Sequence, residues 1–381
     1  MMATNKMAAI LNLTENDEHL RPLTNYRPVA MLPFAGRYRM IDFALSNISE
    51  AGIRSVAMFI SKSGRSIYDH IRSGGSWYLD SSVRGGIFTF SQQEWKHQHH
   101  HEDEYEDFYY NHRLFLERSG SKYVYVGGGN VIANVDIRAM QRHFAKSDAD
   151  IMAVYNEKSQ EEAEREGIYY YLDEDGFVNH RGELDQDLGV NKHRNCLRMF
   201  VMRTDLLLDL IERATKNELY LELDDLIGHY TTEYKTRAYE HTGYTSVVET
   251  MDDYYSANMD MLDSKKFNSL FNTSLKIMTR SKNGVPTYYA PDSLVKNVIS
   301  ATGNSIYGRV ERSLLNRRVT VAKDAVIEDS IILQGTQVGE GAVVKYAIID
   351  KDCVIEPGAQ VIGTPDNLTV IGKFQTIKAG D

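Results

Sequence analysis

The stretch VAKDAVIEDSIILQGTQVGEGAVVKYAIIDKDCVIEPGAQV, Val321–Val361, decides the fold of the C-terminal third. Val321, Ile327, Leu333, Val338, Val344, Ile349, Ile355 and Val361 recur at steps of five or six, with small or turn-forming residues between them. That period fits neither a 3.6-residue helix nor an alternating strand. It fits a β-solenoid, in which each short face gives one aliphatic residue to a stacked central column. A run of hairpins in a small sandwich is the alternative, but the step holds over all these positions without an insertion. Residues 319–363 contain no histidine, which argues against the acyltransferase chemistry that uses a histidine base on such solenoids.

Upstream the pattern changes to alternation of short apolar strands with helical stretches. Ala8–Leu13, Ser55–Ile60, Tyr123–Val126 and Asp150–Tyr155 read as strands. Met40–Gly52, Ser63–Arg72 and Asp136–Lys146 read as helices, and Arg198–Arg213 as a strand–helix pair. Such alternation predicts βαβ units and a mostly parallel sheet, so the chain is α/β. Residues 264–300, with Pro286 and Pro291 among many polar residues, read as a linker. The expected domains are therefore 1–263, that linker, and 301–381.

With 381 residues the chain is long enough for two domains and a core that needs no disulfides. Lys plus Arg number 43 against 53 Asp plus Glu, a net charge of −10, which excludes a general nucleic-acid binder. Cys196 and Cys353 stand far apart and outside any CxxC, pointing to a reducing, cytoplasmic compartment. No apolar run approaches a membrane span and the N-terminus has no signal pattern, so no membrane partner is expected.

Several clusters invite a functional reading. His97, His99, His100 and His101 lie among dense acids without a familiar zinc spacing, and read as a solvated loop. Gly127–Gly129 and Asn130 follow an apolar strand, where glycine amides can cradle phosphate, although such a triplet is as often a tight turn. Arg21, Arg27, Arg37, Arg39 and Arg54 concentrate positive charge in an acidic chain. Guanidinium forks suit phosphate, and pairing with nearby acids such as Asp42 is the structural alternative. Tyr105, Phe108, Tyr109 and Tyr110 read as core or subunit contacts.

The segment LTNYRPVAMLPFAGRYRMIDFALSNISEAG, Leu23–Gly52, resembles the N-terminal signature of bacterial glucose-1-phosphate adenylyltransferases, with GRYRMIDFALSN a specific match. GYTSVVETMDDYYSANMDML, Gly243–Leu262, resembles that family's segment before its linker. The resemblance covers essentially the whole chain. It implies a nucleotidyltransferase-like, Rossmann-like domain followed by a left-handed parallel β-helix, tetrameric assembly, and a place in glycogen synthesis.

The departures from the family pattern bear on function. Its glycine-rich loop corresponds to LTENDEHL, Leu13–Leu20, which has no glycine and carries Glu15, Asp17 and Glu18. Without glycine the backbone cannot approach a triphosphate closely, and the carboxylates repel it. The family's lysine aligns with Val29, its two magnesium-holding aspartates with Asn130 and Val247, and a segment near its active site with Tyr105–His112. Loop, lysine and both acids are absent together. The resemblance thus points to the family's non-catalytic, regulatory (GlgD-type) subunit, with no cofactor of its own and magnesium only in a catalytic partner. Arg27, Arg37 and Arg39 match the region that binds anionic effectors, although the lysine position before Arg27 is Tyr26. A catalytic glucose-1-phosphate adenylyltransferase subunit, self-association and an anionic effector are the expected partners. An active nucleotidyltransferase with a rearranged metal site, and a free-standing sugar-phosphate sensor, are the alternatives.

Overall fold

The computed structural model describes residues 7–60, 64–80, 85–91, 108–159, 167–184 and 192–380. The histidine tract at 97–101, Tyr105 and Ser63 lie outside the described residues. The chain forms two compact units. The first holds residues up to Glu15, Phe43–Thr245 and Ser274–Met278; the second holds Asn16–Asp42, Ser246–Thr273 and Thr279 onward.

The first unit is built on one large sheet. Its strands in chain order are β1 (Met7–Leu13), β2 (Ser55–Ile60), β3 (Gly86–Ser91), β4 (Tyr123–Gly128), β5 (Ile151–Ser159), β6 (Tyr169–Leu172), β7 (Val178–Gly182), β8 (Lys192–Arg203) and β9 (Thr236–Glu240). Spatially they run β7-β6-β8-β4-β1-β2-β3, with β5 beside β8 and β9 beside β5. Strand β1 is buried along its whole length and pairs in parallel with both β2 and β4. An all-apolar run of this kind is what a strand covered on both faces requires. The helices are α1 (Ile41–Glu50), α2 (Arg65–Ile71), α3 (Tyr110–Ser119), α4 (Ile137–Lys146), α5 (Thr204–Lys216) and α6 (Leu223–Tyr230). Asp136 caps α4, accepting from the Ala139 amide at 2.8 Å, whereas α2 begins at Arg65 without a side-chain cap.

The sheet is parallel at β4-β1-β2-β3, but β8 runs antiparallel to β4, β5 and β6. Its polar first half, Lys192–Asn195, hides the strand from a reading by apolar runs. At a bulge between Cys196 and Phe200 the chain takes a positive φ of 50° at Arg198, whose guanidinium reaches Asp224 and Asp225.

The second unit is a parallel β-helix. Along one face Val310, Ile327, Val344 and Val361 stack in register; along another Val321, Val338, Ile355 and Ile377; along a third Leu315, Ile332, Ile349 and Ile371. All eight positions that marked the period are buried. Tyr288–Tyr289 and Leu294–Ser300 already pair in parallel with later coils, so the first coil lies inside the segment expected to be linker.

The contiguous division at 263 and 301 also gives way to interleaving. Residues 16–42 and the helix α7 (Met251–Asp260) compact with the β-helix rather than with the large sheet. The Tyr255 hydroxyl donates to the Asp329 carbonyl at 2.7 Å, the Tyr254 hydroxyl to the Pro33 carbonyl at 2.7 Å, and the Ala35 amide to Asn258 Oδ1 at 3.0 Å. Gly36 has φ +75°, and a Cβ there would stand 3.1 Å from Ile299, so the GRYR turn needs glycine twice over. These bonds join residues more than 70 positions apart in sequence, which no local pattern reports.

The fully buried column makes a direct prediction. Ile327→Ala should lower unfolding stability by ~2–5 kcal/mol, read from denaturant melts, because neighbouring coils cannot collapse into the space. Val326→Ala, one position away and only half-buried, should cost clearly less.

Candidate functional site

In open α/β sheets ligands bind beyond the carboxyl ends of the strands where the strand order reverses. Here that point lies between β1 and β4, since β2 and β3 continue to one side of β1 and β4 lies on the other. The residues meeting there are Asn12 near the end of β1, Thr14 and Glu15 just after it, and Gly127–Asn130 at the end of β4. Asn12 Nδ2 donates to Asp224 Oδ1 at 2.8 Å, and Thr14 Oγ1 donates to Glu222 Oε2 at 2.8 Å. Arg198 places Nη1 3.4 Å from Asp225 Oδ1 and 3.7 Å from Asp224 Oδ2.

Glu15 turns back into this crevice. Its Oε1 accepts a hydrogen bond from the Gly129 amide, and a Cβ at Gly128 would stand 3.1 Å from that oxygen. Glu15 as a whole is half-buried, but its Oε2 is fully buried and has no hydrogen-bond partner. Burial pushes the Glu15 carboxyl up to about 7; the Gly129 amide opposes this, and the charge of Asp224 adds to it while Arg198 subtracts. Burial, then Asp225, likewise raises Asp224. The crevice is thus lined by acids that resist a polyphosphate.

The family's catalytic chemistry calls for magnesium, and the residues at the two aligned positions do not fit it. Asn130 is buried and offers only an uncharged carbonyl, while Val247 is half-buried and offers no donor. Among the described residues no group of three or more His, Cys, Asp or Glu is arranged to hold a metal ion. Val29, at the lysine position, is buried in a short turn of helix in the second unit.

The arginines singled out in the sequence fall in the second unit. Arg27 is 5% exposed and donates through Nη2 to both oxygens of the fully buried Asp350, at 2.6 and 2.5 Å, leaving Nη1 without a partner. Arg39 donates from Nη1 to the Met31 carbonyl at 2.7 Å, and its backbone amide donates to Asp42 at 2.9 Å. Arg37 is exposed, with its guanidinium 5.2 Å from the Tyr38 ring centroid.

Cations from the β-helix and the segment before it join them. Burial, then Arg39 and Arg27, bring the Lys351 amine down to about 6. Burial, then Arg27, bring Arg39 down to about 10. Partial burial followed by Arg39 and Arg317 lowers Lys282 to about 8, although much of that side chain is exposed. Arg317 is lowered by burial and by Arg37, and its Nε is buried without a partner. Burial first, and then mutual repulsion among these cations, is the cause of the lowered values.

The structure therefore groups Arg27 and Arg39 with Lys351, Lys282 and Arg317, and reaches Arg37 through Arg317. Sequence reading missed the later three because Lys282, Arg317 and Lys351 lie far apart in sequence, in turns of the solenoid and its approach. Of the aromatic residues near 108–110, Phe108 and Tyr109 are buried, the Tyr109 hydroxyl bonding to Leu221, while Tyr110 is exposed.

A nucleotidyl transferase family model matches residues 17–180, and a GlmU-like C-terminal hexapeptide model matches 287–374, starting where the first coil starts. The glycogen biosynthesis protein GlgD of Geobacillus stearothermophilus is 32% identical over 85% of this chain and 83% of its own. GlgD of Bacillus subtilis (strain 168) is 29% identical over 98% of this chain and 97% of its own. The chain belongs to the bacterial glucose-1-phosphate adenylyltransferase family. A glucose-1-phosphate adenylyltransferase of Clostridium novyi (strain NT) is 27% identical over 99% of this chain and 98% of its own. The fold expected of the family is present in both parts: a nucleotidyltransferase-like α/β unit and a left-handed parallel β-helix. Among the described residues no helix is long and apolar enough to cross a membrane.

Within this family member, Glu15 makes stability depend on pH. Its folded value lies above the ordinary 4.5, so the folded state retains a proton that the unfolded chain releases. Stability from this group is whole below pH 4.5 and falls as pH rises towards 7, by at most ~3 kcal/mol. Glu15→Gln keeps an acceptor for Gly129 without the charge. It should match the parent protein near pH 5 and melt several degrees higher at pH 8; equal melting at both pH values would contradict this assignment.

Proposed function

We propose that this chain is a non-catalytic, regulatory subunit that assembles with a catalytic glucose-1-phosphate adenylyltransferase in glycogen biosynthesis. The observation that carries the reading is the pair Asn130 and Val247, which brings no negative charge to the two positions where the family holds magnesium. Nucleotidyl transfer rests on positioning and on metal neutralising phosphate charge, so their loss removes the step's main stabilisation. Loss of a single such electrostatic group costs ~3–4 kcal/mol elsewhere.

Retention of the cationic cluster supports a regulatory task. A dianion among Arg39, Lys351, Lys282 and Arg317 relieves their repulsion and gives Lys351 reason to take a proton. Each well-formed guanidinium–phosphate contact contributes ~1.5–3 kcal/mol. Coupling of ~1–3 kcal/mol to a partner's active site changes its response several-fold. Magnesium belongs to the catalytic partner in this reading. The exposed faces and open first coil of the β-helix are the surfaces through which it self-associates or meets that partner.

Two outcomes test the reading. The isolated chain should form no measurable ADP-glucose from glucose 1-phosphate and ATP with magnesium, and Asn130→Asp with Val247→Asp should not restore activity; turnover within tenfold of a catalytic homologue overturns it. Co-purified with a catalytic subunit, the complex should bind sulfate, a dianion of constant charge between pH 6 and 8, more tightly at pH 6. Lys351→Met should weaken sulfate binding and the effector response several-fold while raising the melting temperature at pH 7, since it removes a depressed amine. Arg27→Ala should instead destabilise by ~3–5 kcal/mol by stranding Asp350. Unchanged sulfate binding in Lys351→Met would rule out the effector assignment.

A further inference from the structure

We propose that the Glu15 side chain is a built-in occupant of the ligand crevice, holding the Gly129 amide that a bound sugar nucleotide would otherwise use, so that the chain closes its own nucleotide end. This goes beyond loss of catalytic residues, and it stands whether or not the chain regulates a partner.

The geometry has three parts. Glu15 follows β1 directly and Gly129 follows β4, so their contact lies at the place where the strand order reverses, which is where open α/β sheets take ligands. The amide at the end of a glycine-rich turn is the kind of donor that approaches a ligand closely, and here it is spent on a side chain of the same protein. The carboxyl is also out of reach of water at Oε2, where it has no hydrogen-bond partner, an arrangement that stability alone does not favour. Neighbouring Asn16 and Glu18 are exposed, yet the Glu15 carboxyl turns inward, bonding the Gly129 amide with its Oε2 buried.

The groups facing Glu15 are consistent with a plug rather than a binding partner for a cation. Asp224 opposes it from the start of α6, with Asp225 beside that residue, and Arg198 from the bulge of β8 is already shared between these two aspartates. Asn12, the remaining neighbour from β1, is committed to Asp224. Truncating Glu15 removes the occupant and one of the acids together, leaving the Gly129 amide free and Arg198 less outweighed.

The test uses the full chain alone, with ADP-glucose as the probe in titration calorimetry at pH 7.5. The parent protein and Glu15→Gln, which both fill the crevice, should bind ADP-glucose at least tenfold more weakly than Glu15→Ala. In parallel, amide hydrogen exchange at Gly129 should be at least tenfold faster in Glu15→Ala than in the parent protein. Should Glu15→Ala lose its cooperative melt, Glu15→Ser is read in its place. Equal ADP-glucose binding by the parent protein and the truncated variant, or unchanged exchange at Gly129, overturns the plug. Either result leaves the regulatory reading intact, because that reading is judged on ADP-glucose formation and effector response in the complex.

Discussion

The second unit depends on the buried pair between Arg27 and Asp350. Both side chains are almost wholly out of solvent, and each oxygen of Asp350 accepts from the same guanidinium nitrogen, with the Lys351 amide adding a third bond at 2.7 Å. Desolvating two charges costs several kcal/mol each, and good geometry with extra hydrogen bonds is what offsets it. The pair fixes residues 16–42 against the β-helix and so brings Arg39 near Lys351. It acts together with the Ala35–Asn258 and Tyr254–Pro33 hydrogen bonds, which hold the same segment.

That arrangement also separates two kinds of arginine that look alike in sequence. Arg27 is mostly consumed by the fold, with a single nitrogen left over. Arg39 is held by the Met31 carbonyl and keeps its charge directed into a group of other cations. Burial and the neighbouring Arg39 and Arg27 depress the amine of Lys351, and the adjacent Asp350 offsets only part of that. The first unit has the opposite character. Its crevice gathers Glu15, Asp224 and Asp225 around Arg198, with Glu222 bonded to Thr14, so the same chain carries an acid-lined crevice in one unit and a cationic patch in the other.

The β-helix and the parallel half of the sheet were legible because both rest on local periodicity. An aliphatic residue every five or six positions has few ways to be buried, and an unbroken apolar run such as Met7–Leu13 needs cover on both faces. Strand β8 escaped because half of it is polar, and its antiparallel pairing follows from tertiary neighbours rather than from its own composition. The loss of acids at positions 130 and 247, and of glycine between residues 13 and 20, could be read directly from the family pattern.

What the sequence determined by itself was therefore the class of each half, the resemblance to nucleotidyltransferases, and which residue types stand at positions 13–20, 130 and 247. These rest on residue identity and short-range spacing. Only the tertiary structure decided that the chain interleaves between its units, that Arg27 answers Asp350 across 323 positions of sequence, and that Glu15 occupies the Gly129 amide. Each of those depends on which distant backbone a side chain meets. Burial and electrostatic pairing are set by that meeting, and no periodicity along the chain records it.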